Sequence, residues 1–430
     1  MISKGKDKEE IKKKREVSAE KKDSSNRGGH TIRIHVEFYK EVVLDAALYR
    51  SVLDDYYMQY PEVFPPNFGE GYKLHDMIKT KKQKLLIRRI KLRDGSVYEV
   101  VPSDYMPYLI GKTEDLDKGL YLRKWGVPYE AIAYVLGRNA SYWERAEASL
   151  GRISIVGSLH KTGKLPEHLA SDEKISYWNG KEIYIAMTGS KDCVLGAEIS
   201  MSEDTVGLKA AYSVFKEEAL SVEESYNPLS INLDGWKATN QAWLQIFPSI
   251  KIILCYLHAF LKIRDIGKGL KERFYEVGTE VWTAYREKTK QGFVAALVNL
   301  NTWTQTHFAD NLKICQKVGD LCAKAERFTP AYDFEDCYRT SNQIDRPMNA
   351  IDRYLYQMRY FKGHRESANN KIRAWAILYN FAPFSERVQK RKENPKKCTR
   401  FEQYNGFVYH KNWLHNLLIA ASLNAHKAAT

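Results

Sequence analysis

The sequence predicts an α/β fold, and three observations point to that class. Between residues 158 and 258, short apolar runs with the alternation of strands are interspersed with segments of helical periodicity. A long stretch from Ala259 to Ala331 then has helical periodicity throughout. Finally, a chain of 430 residues with 44% hydrophobic residues can bury sizeable cores, so we expect about two or three globular domains.

The segments of the central region follow one another in an informative order. We predict strands at residues 168–175, 181–189, 193–200, 228–234 and 251–257, a helix at 203–220, a short helix from Asn240, and a last long helix at about 346–375. This βββαβαβα order is that of a ribonuclease H-like domain, with the all-helical stretch inserted before the final helix.

The composition is strongly basic. A formal net charge of +14 predicts an anionic partner, for which nucleic acid is the first candidate and a membrane surface the alternative. In residues 1–22 basic residues outnumber acidic ones by nine to five, so about +10 of the charge lies on the rest of the chain. No run approaches 18 apolar residues, no signal-peptide pattern is present, and the six cysteines form no C-x-x-C pair. We therefore expect a cytoplasmic protein with reduced thiols.

Residues 115–151 have the spacing of a helix-turn-helix. The second helix is expected to begin at Pro128 as its first residue and to end at Gly137, and the third to open with Ser141 as its cap. A plain helical hairpin explains the same spacing. If the segment binds DNA, three side chains are expected to face it: Arg138, Tyr142 and Arg145.

A second basic segment covers residues 79–93. Apolar and basic residues alternate there, which predicts a strand that carries Arg and Lys on one face. A solvated edge strand is the alternative.

Three acids occupy positions where this topology could bind metal. Cleavage of a phosphodiester by two metal ions requires converging carboxylates, because Mg²⁺ and Mn²⁺ prefer oxygen ligands. Asp172 lies in the first strand, Asp234 ends the fourth strand, and Asp345 lies near the start of the last helix. Each also has a purely structural explanation, respectively a strand end, an Asp-Gly turn and a helix cap. Their conjunction in one topology favours a metal site.

The sequence around these acids contains three motifs. The stretch INLDGWKATNQAWLQIFPSIKIILCYLHAFLKI combines D-G-W, F-P and C-x-x-H at Asp234, Cys255 and His258; TSNQIDRPMN surrounds Asp345, and ASDEKISYWNGKEIYIA surrounds Asp172. Over residues 111–424 the chain resembles insertion-sequence DDE transposases, in the group that shares a C-x-x-H signature with mutator-like elements. It carries Asp345 where that family usually has Glu, followed by Pro347.

The resemblance implies a DNA transposase that cleaves the ends of a mobile element and joins them to target DNA. Asp172, Asp234 and Asp345 would hold two Mg²⁺ or Mn²⁺ ions, one activating water or a 3′-hydroxyl and the other stabilising the leaving oxygen. The expected partner is double-stranded DNA, both terminal repeats and target, bound also through Lys237 by a homodimer or larger oligomer. A nucleoid-associated prokaryotic protein with no membrane partner is expected.

Two other functions remain open at this point. Asp345 and Pro347 favour a domesticated or inactive transposase-derived DNA-binding protein. A repressor with an unrelated α/β effector domain is the third candidate, but the sequence contains no Gly-rich phosphate loop.

The neighbours of the acids have simpler explanations. Cys255 and His258 are too few for a structural zinc site, so we expect a buried pair that shapes the floor of the active site. Glu173 competes with Asp172 as the first acid, although strand alternation points it to the opposite face. Trp236 and Trp243 are expected in the core, with base stacking as the alternative.

The expected domain organisation follows from these patterns. We expect a disordered basic arm at 1–30, an N-terminal mixed α/β DNA-binding region at 31–112, the helix-turn-helix at 113–157, the ribonuclease H-like catalytic domain at 158–258 and 332–380, its helical insertion at 259–331, and a helical C-terminal segment at 381–430.

Overall fold

The computed structural model describes residues 30–107, 109–358, 360–391 and 398–424. Of these, residues 30–113 and 417–424 form one compact unit, and residues 114–416 form the other. The basic arm predicted at 1–30 lies outside the described residues apart from His30. No helix among the described residues is long and apolar enough to cross a membrane.

The first unit is built on a four-stranded sheet. Its strands are β1 Thr31–Ile34, β2 Tyr72–Lys79, β3 Leu86–Leu92 and β4 Val97–Pro102. They lie in the order β1-β4-β3-β2, in which β1 and β4 are parallel and the other neighbours are antiparallel. Helices α1 (Tyr39–Val42) and α2 (Ala46–Gln59) connect β1 to β2. Residues 417–424 join this unit at β1, because the amide of Leu423 donates to the carbonyl of Thr31 at 2.9 Å.

The basic segment predicted as a strand forms β3, but its cations lie on both faces. Arg88 is buried, with 9% of its surface exposed, and its Nε and Nη2 donate to the carbonyl of Val43 at 3.1 and 2.8 Å. Arg89, on the opposite face, forms an ion pair with Asp76. The strand lies between β4 and β2, so it is not an edge strand. The prediction of a single cationic face is therefore wrong, because tertiary partners inside the unit take up two of the charges.

The second unit contains a five-stranded sheet of order β7-β6-β5-β8-β9. The strands are β5 His168–Trp178, β6 Lys181–Ser190, β7 Cys193–Ser200, β8 Ser230–Leu233 and β9 Lys251–Leu254. Strand β6 pairs antiparallel with both β5 and β7, while β8 and β9 run parallel to β5. Each of the five strands predicted for the central region is present. The described residues thus form a mixed α/β protein with two mixed sheets.

Helices precede, separate and follow these strands. In chain order they are α3 Thr113–Lys124, α4 Tyr129–Leu136, α5 Ala140–Leu150, α6 Ile155–Leu159, α7 Thr205–Val222, α8 Lys237–Ile246, α9 Tyr256–Gly267, α10 Glu272–Arg286, α11 Lys290–His307, α12 Leu312–Cys322, α13 Ala325–Phe328, α14 Asn342–Met358, α15 Arg365–Phe381, α16 Glu386–Arg391, α17 Arg400–Asn405 and α18 Trp413–Ala420.

The last long helix predicted at about 346–375 is in fact two helices, α14 and α15. Gly363 lies between them, shortly before the start of α15, with a φ of 79° that favours glycine and is not helical. The intervening segment pairs instead with the end of β5: the amide of Phe361 donates to the carbonyl of Tyr177 at 3.0 Å, and the indole of Trp178 donates to the carbonyl of Gly363 at 3.0 Å.

The two faces of the central sheet carry different helices. On β5, Ser171 accepts from the indole of Trp243 and Glu173 accepts from Tyr212, so the odd-numbered side chains face α8 and α7. Lys174 forms an ion pair with Asp352 of α14 at 2.6 Å. Because side chains alternate along a strand, Asp172 lies on the same face as Lys174, the face that α14 covers.

Helix α15 covers the edge strand β7. The side-chain amide of Asn380 accepts from the amide of Val194 at 3.0 Å and donates to its carbonyl at 2.7 Å, as a further strand would. Asn369 accepts from the amide of Ile199 at 3.0 Å. An edge strand whose backbone groups are paired in this way is protected from association with other chains.

A buried ionic network joins α15 to the rest of the unit. Arg373 donates to the carbonyls of Gly151 and Ile153, both at 2.9 Å, and forms ion pairs with Glu198 and Glu218. The second oxygen of Glu218 accepts from the amides at the start of α6. The guanidinium thus satisfies two carboxylates and two carbonyls in the interior.

The helical insertion between β9 and α14 has its own core. Helices α9 to α13 bury a set of mostly apolar side chains against one another: Tyr256, Ile263, Val277, Val281, Phe293, Leu297, Leu300, Phe308, Ile314, Val318, Leu321 and Phe328. Since Leu254 of β9 belongs to the same cluster, the insertion is packed onto the end of the sheet.

We predict that Arg373→Ala destabilises the protein by about 3 to 5 kcal/mol, because it leaves Glu198 and Glu218 buried without a counter-charge. Denaturant unfolding would measure this loss. Lys371→Ala is the matched control, because its ion pair with Glu144 is partly exposed and should contribute about 1 kcal/mol or less. Equal effects of the two substitutions would contradict the assignment of Arg373 as the centre of the network.

Candidate metal centre

Strand register brings Asp172 and Asp234 together. In the parallel pair β5 and β8, Ala170 lies opposite Asn232. Asp172 follows Ala170 by two residues within β5, and Asp234 follows Asn232 by two residues, one position beyond the end of β8. The register therefore sets the two acids on neighbouring segments about 5 Å apart in the hydrogen-bonding direction, although Asp234 is outside the group of ligand atoms that lie within 4.8 Å of one another. The Asp234 carboxylate accepts from the amide of Trp236 at 2.7 Å, which fixes it at the carboxyl end of β8.

Asp345 and His258 lie beside Asp172. One ligand atom from each of these three side chains lies within 4.8 Å of the other two. Asp345 is in the first turns of α14, His258 is in the first turn of α9, and all three side chains are partly exposed. Residues from the three sequence motifs thus meet at one end of the sheet.

Cys255 and Ser341 connect the second and third motifs. Cys255 is fully buried, caps α9 by accepting from the amide of His258 at 3.5 Å, and donates its thiol to the Ser341 hydroxyl at 3.2 Å. The amide of Ser341 donates back to the Cys255 sulfur at 3.2 Å, and its hydroxyl donates to Asp345 at 2.9 Å. The cysteine therefore helps to fix the third acid. Ser341 was not selected from the sequence, although its place four residues before Asp345 at a helix start was a usable signal.

His258 is more exposed than the buried pair expected from the sequence. Cys255 is buried, but His258 is only half-buried and lies among the carboxylates. The Cys255 sulfur, with the charges of Asp172 and Asp345, raises the pKa of His258 to about 9. At neutral pH its imidazolium therefore offsets part of the negative charge of the acids.

Burial and like charge destabilise the ionised form of the first acid. Desolvation, reinforced by Asp234 and Asp345, raises the pKa of Asp172 to about 6, although His258 opposes the shift. Desolvation also raises the pKa of Asp345. Shifts of this kind are typical of sites that bind cations or perform proton transfer.

Glu173 faces away from this cluster. Its carboxylate accepts from the hydroxyls of Tyr212 at 2.8 Å and Thr239 at 2.6 Å, on the opposite face of β5. Burial raises its pKa to about 7. Glu173 and Asp345 therefore cannot bind the same metal ion.

The donor set fits a divalent cation. Two carboxylates and an imidazole lie within 4.8 Å of one another, and a third carboxylate follows on the neighbouring strand. Carboxylate oxygens are the ligands that Mg²⁺ and Mn²⁺ prefer, whereas His258 would have to lose its proton before it could bind an ion. A zinc site of four nitrogen or sulfur ligands is not formed here, because the Cys255 sulfur is occupied by Ser341 and backbone amides.

The two tryptophans after Asp234 have different environments. Trp243 is completely buried, as expected for a core residue. Trp236 is only half-buried and lines a cavity together with Asp234. Lys237, the first residue of α8, is exposed three positions after Asp234. Trp236 and Lys237 are therefore both reached by solvent close to Asp234.

The expected helix-turn-helix consists of α3, α4 and α5. Its capping differs from the sequence-based expectation: Pro128 is the cap of α4 rather than its first residue, and Asn139 instead of Ser141 caps α5 by accepting from the amide of Tyr142. Asn139 caps the helix in place of Ser141 because its short side chain reaches the free backbone amide of Tyr142. The buried ion pair of Arg123 with Glu147, at 2.9 Å, joins α3 to α5.

The side chains selected for DNA contact are accessible at the turn before α5 and on its first turns. Arg138 and Arg145 are exposed, Tyr142 is half-buried, and the Arg138 guanidinium lies 5.4 Å from the centre of the Tyr142 ring. Sequence analysis missed the apolar residues just before this turn: Tyr134 is 92% and Val135 70% exposed. Exposed apolar residues beside cations are suited to a partner with both phosphates and apolar groups.

No known protein-family model matches this sequence, and no curated protein matches it significantly. The transposase resemblance therefore rests on the three motifs and on the residues that they bring together.

We predict that affinity for Mn²⁺ or Mg²⁺ increases as the pH rises from about 6 to about 9. Below pH 6 a proton on Asp172 competes with the ion, and the His258 imidazolium repels the ion until the pH passes about 9. Titration calorimetry at several pH values would measure this. His258→Gln should remove the part of the dependence above pH 7, and an unchanged profile would contradict the assigned charge of His258.

We predict that Asp172→Asn stabilises the metal-free protein at pH 7.5 by about 1 to 3 kcal/mol. The pKa of Asp172 is raised to about 6 in the folded state, so its penalty is absent below the unfolded-state pKa near 4, grows between pH 4 and 6, and is complete above pH 6. The gain should therefore shrink at pH 5. Thermal unfolding with and without Mn²⁺ provides the check, since the ion should stabilise only the wild type.

Proposed function

We propose that the protein is a DDE-type DNA transposase, a metal-dependent nuclease and strand transferase that acts on the ends of a mobile element. One observation carries the proposal: Asp172, Asp345 and His258 approach within 4.8 Å of one another, beside Asp234 on the adjacent strand. These residues are far apart in sequence and each belongs to one of the three transposase-like motifs.

We further propose that the second unit contains a ribonuclease H-like catalytic domain. Its strand order, β7-β6-β5-β8-β9, with β6 alone antiparallel to the rest, supports this topology. Helices α7 and α8 follow β7 and β8, and α14 follows the insertion. The acids then lie at a strand centre, a strand end and a helix start.

In this proposal Asp172, Asp234 and Asp345 hold Mg²⁺ or Mn²⁺. Such ions, when bound, supply Lewis-acid stabilisation of the reacting phosphoryl oxygens. The protein's own groups prepare the site: the Ser341 hydroxyl orients Asp345, and His258 compensates the acids before metal binds. The DNA partner is held through Arg138, Tyr142, Arg145 and Lys237, and the net charge of +14 favours its approach.

The second candidate function is a transposase-derived protein that binds DNA without cutting it. Asp345 in place of Glu, and Pro347, favour this candidate. However, the shorter Asp345 side chain still reaches Asp172 and His258. Pro347 is buried in α14, two residues beyond Asp345. The proline does not prevent the hydrogen bond from the Ser341 hydroxyl to the Asp345 carboxylate. The geometry therefore favours the enzyme.

We predict that Asp234→Asn lowers cleavage of the DNA ends flanking the protein's own gene by more than about a hundredfold. Asn preserves size and the hydrogen bond to Trp236 but removes the charge that attracts a divalent ion. End-joining assays in Mg²⁺ and in Mn²⁺ would measure the activity, and a gel-shift assay should give nearly unchanged binding of the same ends.

Asp265→Asn is the matched control, because Asp265 is an exposed acid paired with Lys268 in the helical insertion. It should leave cleavage intact. Normal cleavage by Asp234→Asn would refute the enzyme assignment. An inactive wild type whose binding to the ends is weakened by Arg145→Ala would support the non-cutting alternative.

A further inference from the structure

A cavity beside Asp234 has an acid on one side and cations on the other. Its volume is about 300 Å³, at the lower end of the range for small-molecule sites. Its lining residues are Asp234, Gly235, Trp236, Leu254, Ala259, Lys262, Lys324 and Arg327. The three cations all come from the helical insertion, Lys262 from α9 and the other two from the region of α13.

These three cations differ from several paired cations of the insertion. In the same insertion, Arg264 and Lys268 form ion pairs with Asp265, and Arg273 pairs with Asp310. None of the cavity's cations forms an ion pair with a carboxylate in the described parts of the chain, although Asp234 lines the same space. Three like charges therefore converge on a space that an anion can fill.

The Arg327 guanidinium is held against the residue after Asp234. Gly235 has a φ of 96°, and a Cβ there would lie 3.2 Å from Arg327 Nη2 and 2.5 Å from Leu254 Cδ1. Only glycine permits this approach. With its amide oriented to satisfy both ends, Asn240 accepts from Arg327 Nη2 at 3.2 Å and donates to the carbonyl of Trp236. The next residue, Phe328, is anchored in the insertion core.

We propose that Lys262, Lys324 and Arg327 form a phosphate subsite that holds a backbone phosphate of the DNA strand next to the one being cut. The inference rests on the proposed transposase function and adds a role for the helical insertion. Metal ions held by Asp172, Asp234 and Asp345 would attract one phosphate, and a strand that entered this site would place a neighbouring phosphate close by. A guanidinium can contact two phosphate oxygens at once, and the lysines add point charges.

Lysine acylation of the full-length protein tests the subsite directly. The protein is treated with an amine-reactive reagent in EDTA, with and without a duplex carrying the ends that flank its gene, and modification is measured by mass spectrometry. DNA should slow acylation of Lys262 and Lys324 about tenfold. Lys268 and Lys317, which are paired with acids outside the cavity, should be unaffected. Equal protection of all four lysines, or of none, would overturn the proposal.

Substitutions provide a second measurement. Arg327→Ala should weaken duplex binding about tenfold at low salt and reduce the slope of log affinity against log salt by about one. Arg273→Ala, an exposed arginine of the same insertion paired with Asp310, should change neither quantity. Unchanged duplex binding by Arg327→Ala would contradict the subsite. So would a result in which inorganic phosphate slows the acylation of Lys262 and Lys324 as much as the duplex does.

The two proposals fail in different ways. If DNA protects Lys262 and Lys324 but the wild type cleaves nothing in Mg²⁺ or Mn²⁺, the three cations still form a site for a DNA phosphate and the enzyme assignment falls. If the protein cleaves normally and the lysines are not protected, the subsite alone is refuted.

Discussion

The contact between Cys255 and Ser341 holds the candidate site in its observed form. It joins the start of α9 to the start of α14 across 86 residues of sequence, most of them in the helical insertion. The sulfur accepts from the amides of His258 and Ser341, and its thiol donates to the Ser341 hydroxyl, which in turn donates to Asp345. Together with the Lys174–Asp352 ion pair, this link places Asp345 opposite Asp172, although the two acids lie on separate elements. The C-x-x-H and T-S-N motifs are therefore parts of one structural device.

The hydrogen bonds between Cys255, Ser341 and Asp345 help to hold carboxylates close together despite their mutual repulsion. The parallel register of β5 and β8 sets Asp172 beside Asp234, and α14 adds Asp345 from above the same face of the sheet. Desolvation and like charge together oppose ionisation of Asp172, while His258 supplies the compensating positive charge. A fold that tolerates such a penalty must be stabilised elsewhere, and the fully paired network around Arg373 is one place where it is. A cation placed among these carboxylates would offset this electrostatic penalty.

Much of the central fold follows from local patterns, but its connections do not. Strand alternation and the Asp-Gly turn at Asp234 predict all five strands of the second sheet and place two of the acids. Tertiary partners distant in sequence account for the failures. Arg88 is buried because the carbonyl of Val43 accepts from it, and residues 417–424 return to β1 across almost the whole chain. The break at Gly363 depends on pairing with β5, which helical periodicity cannot reveal.

The candidate site, like the fold, follows only in part from the sequence. Acids at strand ends and helix starts can be selected from the sequence, because those positions have a chemistry of their own. Ser341 before a helix start is a signal that fits a simple helix cap equally well, and an exposed arginine such as Arg327 is common, so the sequence alone does not assign their roles. Their significance comes from what the fold places beside them: a buried thiol in one case, and Gly235 in the other.

The candidate helix-turn-helix segment is connected to the candidate metal centre more closely than its position in the sequence suggests. Helix α5 buries Glu147, whose carboxylate pairs with Arg123 and accepts from the Tyr354 hydroxyl at 2.9 Å. Tyr354 lies on α14, the helix that carries Asp345. Independence of two sites is expected only where they share no partners, and here a buried network is shared. A change at Glu147 would therefore disturb both α5 and α14, whereas the exposed Arg145 lies outside this buried network.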